Sequence, residues 1–133
     1  SNFEGRKFQF HIVGSGPMES YIKRAVSKCD SVEIIYHGYL PHKQIDNFLK
    51  DVDILFAMGT SALEGAKLGI PTILLDPILK KVKGDYVFRM LQDTDEYDLG
   101  HFISNKDFIR NNTSLNDLLV KFGKVEYFSF KLK

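Results

Sequence analysis

The feature that most constrains the fold is a regular alternation of two hydrophobic periods along residues 7–76. Short apolar or alternating runs such as KFQFHIV (residues 7–13) have the pattern of β-strands, whereas the segments between them repeat apolar residues at the three- and four-residue spacing of helices. The alternation predicts strands at residues 7–13, 32–36, 53–57 and 72–75, with a helix after each of the first three. Helices that join successive strands through short connections produce a parallel sheet with helices on its faces. The sequence therefore predicts an α/β fold.

The rest of the chain is less regular. GDYVFRMLQD (residues 84–93) predicts a helix, and the polar segment that follows, residues 94–107, predicts a loop. An apolar stripe at helical spacing predicts a further helix, with Ser114 as its cap and Gly123 at its end. That stripe consists of Leu115, Leu118, Leu119 and Phe122. VEYFSF (residues 125–130) is compatible with either a strand or a helix.

Size and composition limit the functions open to the chain. Its 133 residues with 44% hydrophobic content suit one domain over residues 1–133. A net charge of +1 gives no electrostatic reason to expect nucleic acid as a partner. No apolar run approaches the ~20 residues of a transmembrane helix, which leaves peripheral membrane contact of a parent protein open. The one cysteine, Cys29, allows no internal disulfide, so we expect a reducing, cytoplasmic location.

Two corners are candidates for ligand binding, since ligands of open parallel sheets bind beyond the carboxyl ends of the strands. GSGP (residues 14–17) follows the first strand and GTSALE (residues 59–64) follows the third. At the second corner Gly59 allows close backbone approach, and the N–H groups that begin the helix form an anion site with its dipole. Thr60 and Ser61 add hydroxyl groups, and Glu64 has the carboxylate to accept two hydrogen bonds from a vicinal diol such as a ribose.

Both corners also have a purely structural interpretation, which the sequence leaves open. The spacing of Ser61 and Glu64 matches a capping box, in which the serine caps the helix and the glutamate reaches back to it. GSGP serves equally as a tight turn, and it lacks the dinucleotide fingerprint because Glu19 stands at the third glycine position. The histidines lack the spacing of metal ligands, so no metal site is predicted, and no catalytic residue can be assigned. They are His11, His37, His42 and His101.

The order of four segments resembles the C-terminal domain of a GT-B glycosyltransferase of the family-4-like group, which makes bacterial surface polysaccharides such as capsules. The segments cover roughly residues 8 to 76 and read FHIVGSGPMESYIKRAV, VEIIYHGYLP, DVDILFA and EGAKLGIPTILLD. The most specific part is Glu64, followed by Gly69 and Pro71, which is similar to the E-A-x-A-x-G-x-P ending of that family.

This resemblance implies a Rossmann-like nucleotide-sugar-binding domain whose donor is a nucleoside diphosphate sugar, most simply one linked to uridine diphosphate, with no further cofactor. It implies that Glu64 binds the ribose hydroxyls and that backbone N–H groups of residues 59–62 hold the diphosphate. The loop at residues 38–40 would lie near the base. The residues so implicated are Gly14, Gly16, Gly38, Tyr39, Leu40, Gly59, Thr60, Ser61, Ala62 and Glu64.

The sequence also departs from that family. The family's earlier glutamate, which meets the sugar, would fall at Phe56. The first strand and helix of such a domain, and an N-terminal acceptor domain, would precede residue 1, so the resemblance implies a fragment of a two-domain enzyme that is inactive alone. Two alternatives stay open: a sugar-nucleotide epimerase, which would need an acid–base pair that the sequence does not reveal, and a non-enzymatic nucleotide-binding or interaction module in which Glu64 only caps.

Overall fold

The structure is a computed structural model that describes residues 7–27, 32–76, 86–94, 99–100, 113–122 and 127–132. Its strands are β1 (Lys7–Val13), β2 (Glu33–Gly38), β3 (Ile54–Ala57), β4 (Thr72–Leu74), β5 (Val87–Met90), β6 (Thr113–Ser114) and β7 (Tyr127–Leu132). Its α-helices are α1 (Glu19–Val26), α2 (His42–Leu49), α3 (Thr60–Lys67) and α4 (Leu115–Phe122), and a 3-10 turn covers Leu91–Asp93.

The strands form one sheet in the order β2-β1-β7-β3-β4-β5-β6. β1 pairs with β2 in parallel, β3 pairs with β4 in parallel, and β7 is parallel to both β1 and β3. The prediction of an α/β fold with a parallel sheet flanked by helices is therefore confirmed. The sheet turns antiparallel only at β5 and β6. No helix in the described parts of the chain combines the length and apolar character needed to cross a membrane.

β7 takes a place that the sequence pattern did not predict. It lies between β1 and β3, with Phe8 opposite Phe128 and Phe56 opposite Leu132. The described part of the segment that is ambiguous between strand and helix, residues 127–130, thus belongs to a strand in the middle of the sheet. Pairing between residues more than 70 positions apart cannot be inferred from local periodicity, although the alternation of apolar residues along residues 128–132 is typical of a strand.

The helix predicted for residues 84–93 is wrong within the described part of that segment. Val87–Met90 is strand β5, and only Leu91–Asp93 turns, as a 3-10 helix. The physical reason is tertiary, because β5 pairs antiparallel with β4 and its Arg89 is buried against Asp76. The predicted helix near the C-terminus is α4, and the N–H of Asp117 donates to Ser114 Oγ at 3.0 Å, as a cap requires. Its predicted end at Gly123 and most of residues 94–107 lie outside the described residues.

Alternate residues of the central strands build two apolar clusters, one on each face of the sheet. We call the cluster under α2 and α3 the upper core, and it contains Ile45, Leu49, Val52, Leu55, Ala57, Ala62 and Leu74. On the opposite face, a second cluster contains Ile54, Phe56, Ile73, Met90 and Leu118. The period of two in β3 therefore places Leu55 on one face and Phe56 on the other. α1 contributes no buried residue among those described.

α3 lies unusually close to the sheet because Gly65 faces it. A Cβ atom on Gly65 would fall 2.3 Å from Thr72 Oγ1 and 2.5 Å from Leu55 Cδ2. The C-terminal end of α3 is fixed as predicted at Gly69, which has a φ of 70°. The N–H of Ile70 donates to the Gly65 carbonyl at 2.9 Å and the N–H of Gly69 donates to the Ala66 carbonyl at 3.0 Å, which is a Schellman motif. The C-terminal half of α3 is thereby held close to β3 and β4.

We expect Gly65→Ala to destabilise the fold by about 1–3 kcal/mol, because the added methyl group would overpack the contact with Thr72 and Leu55. Alanine otherwise favours a helix over glycine, so the sign of the effect reports the close approach. Urea denaturation measures it, with Lys67→Ala on the exposed side of the same helix as the control. Equal or greater stability of Gly65→Ala would contradict the close packing of α3.

Candidate functional site

The carboxyl ends of β1, β2 and β3 converge at one edge of the sheet, where the predicted corners lie. The loop after β1 is joined to the loop after β2, since the N–H of Gly14 donates to the Gly38 carbonyl at 2.7 Å. The hydroxyl of Tyr36 donates to the Gly14 carbonyl at 2.9 Å. These two hydrogen bonds join the GSGP turn to β2 and the loop after it. The N–H of Gly14 therefore donates within the protein and is not available to a ligand.

The start of α3 is an uncapped helix N-terminus. Its N-cap residue is Gly59, with φ 59° and ψ −141°, and none of the side chains that the structure describes caps it. The N–H of Ala62 turns back to the Gly59 carbonyl at 3.1 Å. The N–H groups of Thr60 and Ser61 stand ahead of it in the first turn, where helix geometry offers no acceptor from within the helix. The corner therefore has the donors of an anion site.

The capping-box interpretation of Ser61 and Glu64 is wrong. The helix begins at Thr60, two residues earlier than a helix capped by Ser61 would, because Gly59 adopts a positive φ that turns the chain there. Ser61 is consequently the second helical residue instead of the cap. Glu64 lies too deep in the helix to complete a capping box with it.

The side chain of Glu64 faces α2. Its Oε1 lies 3.3 Å from Nδ1 of His42, and the Glu64 side chain is 19% exposed whereas that of His42 is 85% exposed. His42 is the first residue of α2 and follows Pro41. Sequence spacing gave no signal for this pair, because 22 positions separate the two residues and only the packing of α2 beside α3 brings them together.

That packing comes from the upper core. Ile45, one turn into α2, and Ala62, in the first turn of α3, are both buried in this cluster, and Leu40 packs against it. In the loop after β2, one side chain therefore packs against the core and its neighbour is exposed to solvent. Leu40 points toward the core, while its neighbour Tyr39 is 72% exposed. Of these two predicted site residues, only Tyr39 presents its side chain to solvent at this edge.

A segment that the sequence pattern assigned to a polar loop also reaches the corner. The N–H of Gly59 donates to the Leu99 carbonyl at 2.7 Å. Gly100 has a φ of 104°, and a Cβ there would lie 2.6 Å from the Leu75 carbonyl oxygen and 3.3 Å from Met58 Cβ. These contacts fix the backbone immediately before α3. The only local signal was the glycine itself, in a stretch that otherwise looks like a solvated loop.

Asp76 and Arg89 form a buried ion pair beyond the end of β4. Two parallel hydrogen bonds join the guanidinium to the carboxylate, the Nη2–Oδ1 one at 2.7 Å. Asp76 is 7% exposed and Arg89 5% exposed, so each charge is compensated by the other in a site that excludes water. Sequence reasoning missed this pair because the arginine lies inside a segment that was expected to be helical. It secures the antiparallel strand β5 next to β4.

A cavity of about 280 Å³ opens beside the GSGP turn. Gly14 and Gly16 line it, together with apolar side chains that include Ile12 and Ile22. At its rim Lys23 Nζ lies 2.8 Å from Glu19 Oε1. This lysine lowers the pKa of Glu19 through a hydrogen bond and its charge. The lining is mostly apolar, so the turn at residues 14–17 has little in common with an anion site.

The histidines are closer together than their spacing suggested. Nδ1 of His11 lies 2.9 Å from Nε2 of His37, and the two rings stack beside Phe48. Among the described residues, no group of three or more histidine, cysteine, aspartate or glutamate side chains is arranged to hold a metal ion. Cys29 and His101 lie outside the described residues.

Comparison with known proteins finds sequence similarity over part of the chain. The chain is 28% identical over 74 residues to the amylovoran biosynthesis glycosyltransferase AmsK of Erwinia amylovora. This match covers 55% of the chain and 18% of that protein. No protein-family model matches the chain, and no solved structure matches it significantly.

We expect Gly59→Ala to lower the free energy of unfolding by about 1–3 kcal/mol, because its φ and ψ lie in a region that side chains disfavour. The control is Gly16→Ala, whose added Cβ would meet nothing within 4 Å. Thermal and urea unfolding of both variants measure the difference. Equal stability of the two variants would show that the chain does not make the turn at Gly59 described above.

Proposed function

We propose that the chain is the donor-binding domain of a glycosyltransferase. It binds a nucleoside diphosphate sugar, with uridine diphosphate as the nucleotide, and serves transfer of the sugar to a glycan or lipid-linked acceptor in surface polysaccharide synthesis. The observation that carries this proposal is the corner itself. An uncapped helix N-terminus and a carboxylate one turn away lie together at the carboxyl edge of a parallel sheet.

The diphosphate would bind at the start of α3. The N–H groups of Thr60 and Ser61 supply donors, their hydroxyls supply two more, and the helix dipole favours negative charge there. Gly59 allows the phosphate oxygens to approach the backbone, since it carries no side chain. Such fixed dipoles stabilise a charged leaving group without reorganisation, so this mode of binding requires no metal ion.

The nucleoside would extend from that point toward the loop after β2. Glu64 lies one turn into α3, so its carboxylate can accept hydrogen bonds from the ribose hydroxyls while the diphosphate occupies the helix end. Tyr39, exposed in the loop after β2, offers an aromatic face to a base. The base, ribose and diphosphate would then lie in one line across the edge of the sheet. Leu40 and Ile45, which pack in the upper core, would support the end of this line that lies at the loop after β2.

The similarity to AmsK supports the transferase class, since that protein is a glycosyltransferase of amylovoran biosynthesis. The chain spans 18% of the length of AmsK. We therefore propose the complete transfer reaction and its acceptor for the enzyme that would contain this domain, not for the domain alone. Transfer requires that donor and acceptor be aligned in a site that excludes water. In the proposed enzyme an N-terminal acceptor domain would supply the second wall of that site.

Sugar recognition must use groups other than residue 56. Phe56 occupies the position of the glutamate that the resemblance would place against the sugar, and it is 5% exposed. Its ring meets Phe10 and Phe88 edge to face, with centroids 6.4 Å and 5.7 Å away. The side chain is therefore part of the second apolar cluster and points away from the corner.

One observation favours the epimerase alternative. The contact between His42 and Glu64 brings together a base and a carboxylate that could orient it, which is an arrangement used in general acid–base catalysis. In that case the same corner would act on the sugar in place of holding the nucleotide alone. Analysis of the products formed from a uridine diphosphate sugar separates the two, since an epimerase needs no acceptor.

We expect Glu64→Gln to weaken uridine diphosphate binding by about 1–3 kcal/mol, because the charge-assisted hydrogen bonds to the ribose would be lost. The free energy of unfolding should change by about 1 kcal/mol or less, since glutamine keeps the shape of the side chain and its Oε1 can still accept a hydrogen bond. Titration calorimetry at millimolar nucleotide, beside thermal melts, measures both quantities.

The matched control is Asp51→Asn, an exposed carboxylate at the opposite end of α2, which should leave binding unchanged. Equal affinities of wild type and Glu64→Gln would remove the ribose role. Absence of any nucleotide binding by the wild-type chain would favour the non-enzymatic interaction module instead.

A further inference from the structure

The side chain of Glu64 is held from the side by a residue of another helix. His42 Nδ1 lies 3.3 Å from Glu64 Oε1, across the gap between α2 and α3. We propose that His42 is a positioning residue, which holds the carboxylate of Glu64 where it can bind the ribose. This inference rests on the proposed nucleotide site. His42 would thereby set the preference of the site for ribonucleotides over 2′-deoxyribonucleotides.

The backbone on both sides of this contact is fixed. Pro41 precedes His42 in an extended conformation, with φ −56° and ψ 145°. Ile45, one turn further along α2, is 6% exposed, and Ala62 in the first turn of α3 is fully buried in the same cluster. The separation of the two helix starts is therefore set by packed side chains. The backbone positions that carry the imidazole and the carboxylate are thus held by packing, and only the two side chains have to be ordered for the contact.

The start of α3 would draw the glutamate in a different direction from His42. Helical side chains lean toward the N-terminus of their helix. The partial positive charge at the start of α3 attracts a carboxylate, which would then compete with the diphosphate for the same N–H groups. Nδ1 of His42, when it carries a proton, offers Oε1 a partner on the α2 side, at 3.3 Å. The carboxylate is thus kept between the two helices, at the distance from the helix end where the ribose of a bound nucleotide would lie.

The exposures fit this division of roles. The His42 side chain is 85% exposed, so it contributes little burial to the fold, whereas that of Glu64 is 19% exposed and has its orientation constrained. Replacing His42 should consequently change ligand selectivity more than stability. A residue with a purely structural role would show the opposite.

The experiment compares affinities for three probes: uridine diphosphate, 2′-deoxyuridine diphosphate and inorganic pyrophosphate. Wild type should prefer the ribonucleotide by about tenfold, the equivalent of one charge-assisted hydrogen bond. His42→Ala should reduce that preference to about twofold or less, while pyrophosphate still binds. His42→Asn should restore most of it, because the amide Nδ2 stands close to the position of the imidazole Nδ1.

Lys43→Ala, the exposed neighbour of His42 on α2, is the control and should keep the wild-type preference. Thermal melts of wild type and of the His42 and Lys43 variants should agree within a few degrees. If His42→Ala keeps the tenfold preference while Glu64→Gln loses it, the positioning role is wrong and the nucleotide site stands. If wild type binds neither pyrophosphate nor uridine diphosphate, the proposed function fails and the role of His42 fails with it.

Discussion

The architecture of the site depends on the close approach of α3 to the sheet at Gly65. A side chain there would meet Thr72 Oγ1 and Leu55 Cδ2 at less than van der Waals distance, so only glycine allows the helix to lie this near β3 and β4. The approach buries Ala62 completely and brings the helix start to the carboxyl edge of the sheet. The positive φ of Gly59 at one end of α3 and the Schellman motif at the other leave the helix no freedom to slide. The start of α3, where we propose that an anion binds, and Glu64 are both positioned by this one contact.

The electrostatics of the corner follow from that placement. A helix N-terminus without a side-chain cap favours an anion, while a carboxylate one turn away disfavours one. In the proposed site the contact with His42 would allow the two to coexist, because it gives Glu64 a partner on α2 and would leave the N–H groups of Thr60 and Ser61 for a phosphate. Asp76 and Arg89, two other buried charged residues, form an ion pair with each other, and this pair stabilises the fold. The proposed site is therefore assembled from one helix end, one carboxylate and one exposed aromatic ring.

The parts of the fold that the sequence predicts are those with local causes. The period of two in residues 7–13, the helical spacing in α2 and α3, and the glycine end of α3 at Gly69 all appear in the structure. The errors have non-local causes. Val87–Met90 is a strand because β4 offers an antiparallel edge, and Tyr127–Leu132 enters the sheet between β1 and β3. At the site, the capping-box spacing was misleading because the N-cap of α3 is Gly59 and not Ser61. The contacts of Gly59 with Leu99 and of Glu64 with His42 join segments far apart in the chain.

The most direct test is a titration of the chain with uridine diphosphate to millimolar concentration, in which nuclear magnetic resonance measures the chemical-shift change of each backbone amide. The account predicts that the largest shifts fall at Thr60 and Ser61, with a second group at Gly38 and Tyr39, and that pyrophosphate reproduces only the first. Shifts confined to the cavity beside Gly14 and Gly16, or no shifts at saturating nucleotide, would contradict a nucleotide site at the start of α3.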